Sequence, residues 1–199
     1  MSTLTLPRTE PRLAPIERSG NLLVRLLALV FRWKLGKVMT PLKVIYARMP
    51  RLVLPQMMMV SLGQSGLSLD DALIALIQTR VSMLNGCTFC TDLHQAMAER
   101  EGHGRDKLAA LAELDGHDAA THADPYSPSE RAALRFADEV SRTGRASDAT
   151  FEALRSGFDE RQIVELTWLC AFTTYLNRLA VPLGIGSDGF CALVPQKLK

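Results

Sequence analysis

Asn85-Gly-Cys-Thr-Phe-Cys-Thr-Asp-Leu-His94 joins two helical patterns, and its reading decides the fold. Upstream of it, Leu73, Leu76, Ile77 and Val81 recur at helical spacing towards Leu84, behind a Ser68-x-x-Asp71 start signal in which Asp71 is the reaching carboxylate. Asn85-Gly86 stops that helix. A second helix opens at about Cys87, runs through His94, Ala98 and Arg100, and ends at Gly102 and Gly104. The two cysteines therefore stand at a helix start.

Further along, a polar, alanine-rich stretch holds one short helix, Asp106 to Leu114, and a loop closed by Pro125. Ser127-Pro-Ser-Glu130 supplies an N-cap, a first-turn proline and a capping-box glutamate, so a helix is expected from Pro128 to about Arg142. Ser147 and Asp159 start two more. The last, about Glu160 to Val181, is apolar nearly all round, which marks it for the core or a subunit contact, and Pro182 and Gly184 end it. No period-two pattern competes, so the expected fold is all-α, a single domain with a homo-oligomeric assembly. The chain divides into a flexible tail over 1–20, an N-terminal helical segment over 21–66, a core over 67–186 and a C-terminal tail over 187–199.

At 199 residues, 47% hydrophobic and 22% charged, the chain has material for one compact core. A net charge of +2 without any block of five basic residues excludes the footprint of a nucleic-acid binder. Arg25, Arg32, Lys34 and Lys37 interrupt the apolar run from Asn21 to Val38, which reads as an amphipathic helix and not a membrane span. The first fifteen residues carry Arg8, Glu10, Arg12 and three prolines, unlike a secretory signal, and point to a cytoplasmic protein. In a reducing compartment four cysteines are not a disulfide framework. Cys170 reads as a small buried hydrophobe and Cys191 as free or incidental.

Cys87, Cys90 and His94 are spaced three and four apart, which places them on one helix face. Two cysteines so placed can close a short disulfide, and the free N–H groups and dipole of the helix start favour thiolate. The His94 imidazole can accept a thiol proton near neutral pH. The dipole favours Cys87 as nucleophile, whereas nearness to the base favours Cys90. Thiols and imidazole also bind zinc, with His103, His117 and His122 as further donors, although none has standard ligand spacing. Two core cysteines beside a surface histidine is the plainest alternative.

Arg80-Val-Ser-Met-Leu-Asn-Gly-Cys-Thr-Phe-Cys-Thr-Asp-Leu-His94 resembles the core signature of the AhpD-like alkylhydroperoxidase and carboxymuconolactone decarboxylase superfamily. Pro128-Ser-Glu-Arg-Ala-Ala-Leu-Arg-Phe-Ala137, Ile163-Val-Glu-Leu-Thr and Asn177-Arg178 resemble its second half, and the likeness spans roughly residues 40 to 186. The resemblance implies an all-helical oligomeric fold in which Cys90 attacks a hydroperoxide, Cys87 resolves the sulfenic acid as a disulfide and His94 belongs to a proton relay. A protein dithiol or small thiol would restore the pair, and no metal or organic cofactor is required. The family's relay glutamate falls twelve residues before Cys87, where this chain has Ala75. Asp71 and Glu165 are the candidate substitutes; more plainly, Asp71 is a helix-start carboxylate and Glu165 a partner of an arginine such as Arg178.

The expected function is thus a thiol-dependent hydroperoxide reductase, with a thiol–disulfide oxidoreductase lacking peroxidase activity as the second reading. A non-redox decarboxylase relative or a zinc-held interaction module is the third. Asp92 is expected at solvent or a subunit contact. Phe89, Trp168 and Tyr175 are candidate walls of an apolar peroxide pocket, though aromatics on core helices, like Met57-Met-Met59, more often simply pack. Asn177 and Arg178 call for a structural polar network.

Overall fold

The computed structural model describes residues 10–103, 105–112, 114 and 125–193. Eight α-helices appear among them: α1 (Leu22–Leu35), α2 (Val53–Gln64), α3 (Asp71–Leu84), α4 (Thr88–Glu101), α5 (Arg105–Ala110), α6 (Pro128–Thr143), α7 (Asp148–Arg155) and α8 (Glu160–Ala180). No strand occurs among the described residues, and no helix there is long and apolar enough to cross a membrane. His117 and His122 lie outside the described residues.

Helix α3 is the axis of the bundle, packed against α4, α6 and α8 and buried from Leu76 through Ser82. Its apolar side joins Leu134, Phe136 and Ala137 of α6 to Leu166 and Leu169 of α8 in the main core. Arg80 is 1% exposed, and its Nε and Nη2 each meet an Asp138 carboxylate oxygen at 2.7 Å. A guanidinium can be buried here because the carboxylate matches its fork in two parallel bonds.

Capping chemistry sets the ends. Ser127 with Glu130 and Asp159 with Gln162 close full capping boxes on α6 and α8, and Ser147 caps α7. The start of α3 departs from the Ser68 expectation. Asp70 is the cap, accepting from Ala72 N and Leu73 N, while Ser68 donates its N–H and hydroxyl to Glu165 at 2.8 and 3.0 Å. Aspartate one residue before the helix has the better placed acceptor, which frees Ser68 to tie α8 to the α3 entrance. The short helix after Gly104 ends at Ala110, earlier than the expected Leu114.

The described parts of both expected tails are held by hydrogen bonds. Arg12 N donates to Leu183 O at 2.8 Å and Ile16 N to Lys43 O at 3.1 Å, so residues 10–16 run along the body. At the other end, Phe190 is 1% exposed, and Asp92 of α4 accepts from Ser187 Oγ, Phe190 N and Cys191 N at 2.8–2.9 Å. Asp92 is therefore a buried anchor and not the surface group expected from an ideal helix wheel. Its burial opposes the charge, yet the donors from Cys191, Phe190 and Ser187 outweigh that and hold its carboxyl below the usual range. Asp188 completes the clasp, accepting from Thr40 N at 2.8 Å and Thr40 Oγ1 at 2.7 Å.

Asp92→Ala would leave three donors without their acceptor, at a cost of about 2–4 kcal/mol. A urea unfolding curve should show that loss together with faster amide exchange at Phe190 and Cys191. An unchanged midpoint would mean the segment is held by Phe190 packing alone.

Candidate functional site

The α3–α4 turn builds the site. Gly86 sits at φ +68°, a left-handed conformation that glycine adopts without strain, and Cys87 N then donates back to Ser82 O at 2.9 Å. Asn85 Nδ2 donates to Asn177 Oδ1 at 2.9 Å and to Thr174 Oγ1 at 3.2 Å, and Asn177 Nδ2 to Ser82 Oγ at 3.4 Å. Asn177 is thus the centre of the expected polar network, fully buried, whereas its neighbour Arg178 is exposed. This network joins the turn to α8 and fixes where α4 begins.

Cys87 is the N-cap of α4, its Sγ accepting from Cys90 N at 3.3 Å, and the two cysteines form a disulfide with Cα atoms 5.3 Å apart. Cys87 is 1% and Cys90 5% exposed. Val44 and Ile45 of the π-helical turn Leu42–Tyr46, Ala180, Ile185 and Phe190 pack around them. Phe89 stands edge-on to Phe190 with ring centroids 6.2 Å apart. It does not meet Trp168 and Tyr175, which flank Phe172 in a separate stack. The three aromatics therefore do not wall a common pocket.

His94 lies one turn beyond Cys90, half-buried, and among the described residues no hydrogen bond reaches its ring. Burial alone pushes its imidazole down to about 4, so in the disulfide form the ring is neutral at physiological pH. It faces a cavity of about 300 Å³ between α3 and α4, with Ala75 and Gln78 on the opposite wall. Asp71, Glu101 and His103 line the cavity too. The alanine at the family's relay position thus lies in the cavity that His94 faces, and Asp71 is the carboxylate of α3 that shares it.

Glu165 is elsewhere. Its carboxylate accepts from Ser68 N, Leu69 N and, at 2.8 Å, from Arg161 Nε, so its arginine partner is Arg161 and not Arg178. Burial works to raise its pKa, but these donors prevail and keep the carboxyl below its usual range, as suits a structural cap of the α3 entrance. Cys170 is buried, which pushes its thiol up to about 12 and leaves it inert. Cys191 is half-buried, its thiol donating to Asp92 O at 3.3 Å. Gln78 went unremarked in the sequence: a glutamine within a helical run has no motif to mark it. Its position one turn after Ala75 on the Asp71-Ala75-Gln78 stripe was the available signal. Among the described residues no group of three His, Cys, Asp or Glu side chains is placed to hold a metal ion.

Residues 57–139, from within α2 to within α6, match the model of the carboxymuconolactone decarboxylase family. The uncharacterized protein YdfG of Bacillus subtilis is 32% identical over 111 residues, covering 55% of this chain and 71% of that one. This chain belongs to the carboxymuconolactone decarboxylase family. A structure from Agrobacterium tumefaciens, of a protein of unknown function provisionally described as the antioxidant defence protein AhpD, supports the AhpD-like form of that family. It superposes with a TM-score of 0.63 at 28% identity, over 73% of this chain and 97% of that one. An uncharacterized peroxidase-related protein from Silicibacter sp. has the same fold, with a TM-score of 0.74 at 22% identity over 94% of this chain and 97% of its own.

A neutral buried imidazole has a consequence for stability. His94 takes up protons in the unfolded chain near its ordinary pKa of 6.5 but in the folded protein only near 4. Between those values the unfolded state binds more protons, so stability falls as pH drops through that window, by about 1–3 kcal/mol for this one group. His94→Leu should flatten the slope of unfolding free energy between pH 6.5 and 4. An NMR titration placing the wild-type imidazole near its ordinary value would contradict the assignment.

Proposed function

We propose that this chain is a thiol-dependent hydroperoxide reductase acting through Cys90, Cys87 and His94. The observation that carries the reading is the Cys87–Cys90 disulfide at the start of α4, one turn before a histidine whose ring nitrogens no hydrogen bond engages among the described residues. In the reduced protein His94 accepts the Cys90 proton, and the thiolate attacks the terminal peroxide oxygen. The O–O bond breaks, Cys90 becomes a sulfenic acid, and the leaving alkoxide takes the proton from His94 to become an alcohol. Cys87 thiol then condenses with the sulfenic acid, releasing water and forming the disulfide. An external dithiol returns two electrons and two protons to reopen the pair.

The start of α4 supports this sequence, since its first-turn N–H groups and dipole stabilise a thiolate. The neutral imidazole is a proton acceptor at pH 7, and a thiolate beside it would raise its pKa on reduction. Asp71, at the cavity rim, is the candidate relay acid; Glu165 is occupied at the α3 entrance. We place the protein in the reducing cytoplasm as a homo-oligomer. Leu22, Leu26, Leu29 and Trp33 form an exposed apolar stripe on α1 that favours self-association. A thiol–disulfide oxidoreductase without peroxidase activity is favoured by one observation, the alanine at the relay position.

Peroxide consumption with a regenerating dithiol separates the two readings. Cys90→Ser should be inactive and His94→Ala slower by roughly 10²–10⁴-fold, the usual scale of a lost acid–base group. Full activity in Cys90→Ser sinks the mechanism, and turnover of a disulfide but no peroxide by wild type selects the oxidoreductase. Ala75→Glu restores a carboxylate facing His94 and should raise peroxide kcat/KM about 10-fold; no gain would place the relay on another group.

A further inference from the structure

Helix α4 returns along α3 after the turn at Gly86, and the cavity between them is a slot whose two ends differ in character. At the end nearer the turn Gln78 is 6% exposed, and among the described residues no hydrogen bond reaches its side-chain amide, although a buried amide ordinarily finds a partner. The His94 imidazole faces the same end, and no hydrogen bond among the described residues reaches it either. Ala75 and Met97 make the middle of the slot apolar. Asp71 and Glu101 line the far end and are exposed, with an oxygen of Glu101 3.4 Å from His103 Nε2. Among the described residues the lining holds these two carboxylates, no Arg or Lys, and neither Cys87 nor Cys90. A ligand in the slot therefore meets the imidazole without meeting the disulfide.

Two carboxylates with no Arg or Lys beside them attract a cation. Among the described residues no three His, Cys, Asp or Glu side chains are placed to hold a metal ion, so the cation that fits is an organic ammonium. Its charge belongs at the exposed mouth, because burying it beside a neutral amide and a neutral imidazole costs more than their hydrogen bonds return. The buried end offers an amide N–H to donate and an imidazole nitrogen to accept, and one hydroxyl satisfies both. Asp71 and Gln78 stand two turns of α3 apart, about 11 Å, and a hydrogen bond of about 3 Å at each end leaves room for roughly four or five methylenes between them. We infer that this slot binds a short aliphatic amino alcohol, with its ammonium on Asp71 and Glu101 and its hydroxyl between Gln78 and His94. The binding is independent of the hydroperoxide reductase reading; its consequence for turnover rests on that reading. A neutral imidazole has a single acceptor nitrogen, so a hydroxyl donating to it occupies the base that takes the Cys90 proton, and the ligand is an inhibitor. No covalent bond is made or broken.

5-Aminopentan-1-ol is the probe, read by NMR on the disulfide protein so that binding is measured without turnover. It should shift the Gln78 side-chain amide and His94 ring resonances in a saturable way. Pentan-1-ol and pentylammonium each lack one end of the probe and should bind about 10-fold or more weakly, and 5-hydroxypentanoate should leave both resonances unmoved. Asp71→Asn combined with Glu101→Gln should bring the probe to the affinity of pentan-1-ol, and Ala75→Leu, which fills the middle of the slot, should abolish the shifts. The ligand series in wild type decides the matter if a variant fails to fold. No saturable shift with the probe, or equal affinity for pentan-1-ol or pentylammonium, would overturn the inference. In peroxide turnover with a regenerating dithiol, saturating probe should lower kcat/KM by about 10-fold or more. Full activity while the Gln78 resonances are saturated would overturn the inhibitory role. Absence of all peroxide turnover defeats the parent reading alone, and the NMR series still decides whether the slot takes the amino alcohol.

Discussion

The hydrogen-bonded node of Ser82, Asn85 and Asn177 is the constraint on which the rest depends. It lies between α3, the α3–α4 turn and α8, and at its centre the fully buried Asn177 amide both accepts from Asn85 and donates to Ser82. Such a node has one satisfied arrangement, because a slip of either helix by a residue would strand buried amide groups. Gly86 allows the chain to reverse at once, and the node and the reversal together fix Cys87 as the N-cap of α4. The position of both sulfurs and of the imidazole follows from that single junction.

The surroundings of those groups are set by burial more than by charge. The disulfide lies in an apolar cluster closed by the π-helical turn on one side and by Phe190 of the C-terminal segment on another. Asp92 and Asp188 hold that segment in place with acceptors, so the cover over the cysteines depends on two carboxylates of ordinary chemistry. Among the described residues no carboxylate is bonded to the His94 ring, and burial keeps it neutral. A neutral imidazole accepts protons without holding a charge of its own in the apolar surroundings, which suits a site that must alternate between a thiolate and a disulfide.

Much of this was legible in the sequence because it is local. Spacing puts Cys87, Cys90 and His94 on one face, and the capping residues Ser127, Ser147 and Asp159 mark their helices to within a residue or two. The family signature around Cys87 led to the fold, which the relatives and structural neighbours bear out. Asn177 announced itself as a polar residue inside an apolar helix. What was not legible depends on tertiary partners. Asp92 faces away from the cysteines on a helical wheel, and only the return of residues 187–191 turns that outward face into a buried one. Glu165 carries no sign of whether Arg161 or Arg178 meets it. Phe89 and Trp168 are alike in sequence and fall into different clusters. Gln78 acquires meaning only when α4 is laid against α3 and His94 faces it.

The central claim is that Cys90 is the sulfur that meets the peroxide. In Cys87→Ser protein the resolving thiol is gone, so a sulfenic acid formed by one equivalent of hydroperoxide persists and can be trapped with dimedone. Peptide mass spectrometry should find the adduct on Cys90 in that variant and none on Cys87 in the mirrored Cys90→Ser protein. Peroxide consumed with no adduct on Cys90, or an adduct on Cys87 in the mirrored variant, would contradict the account.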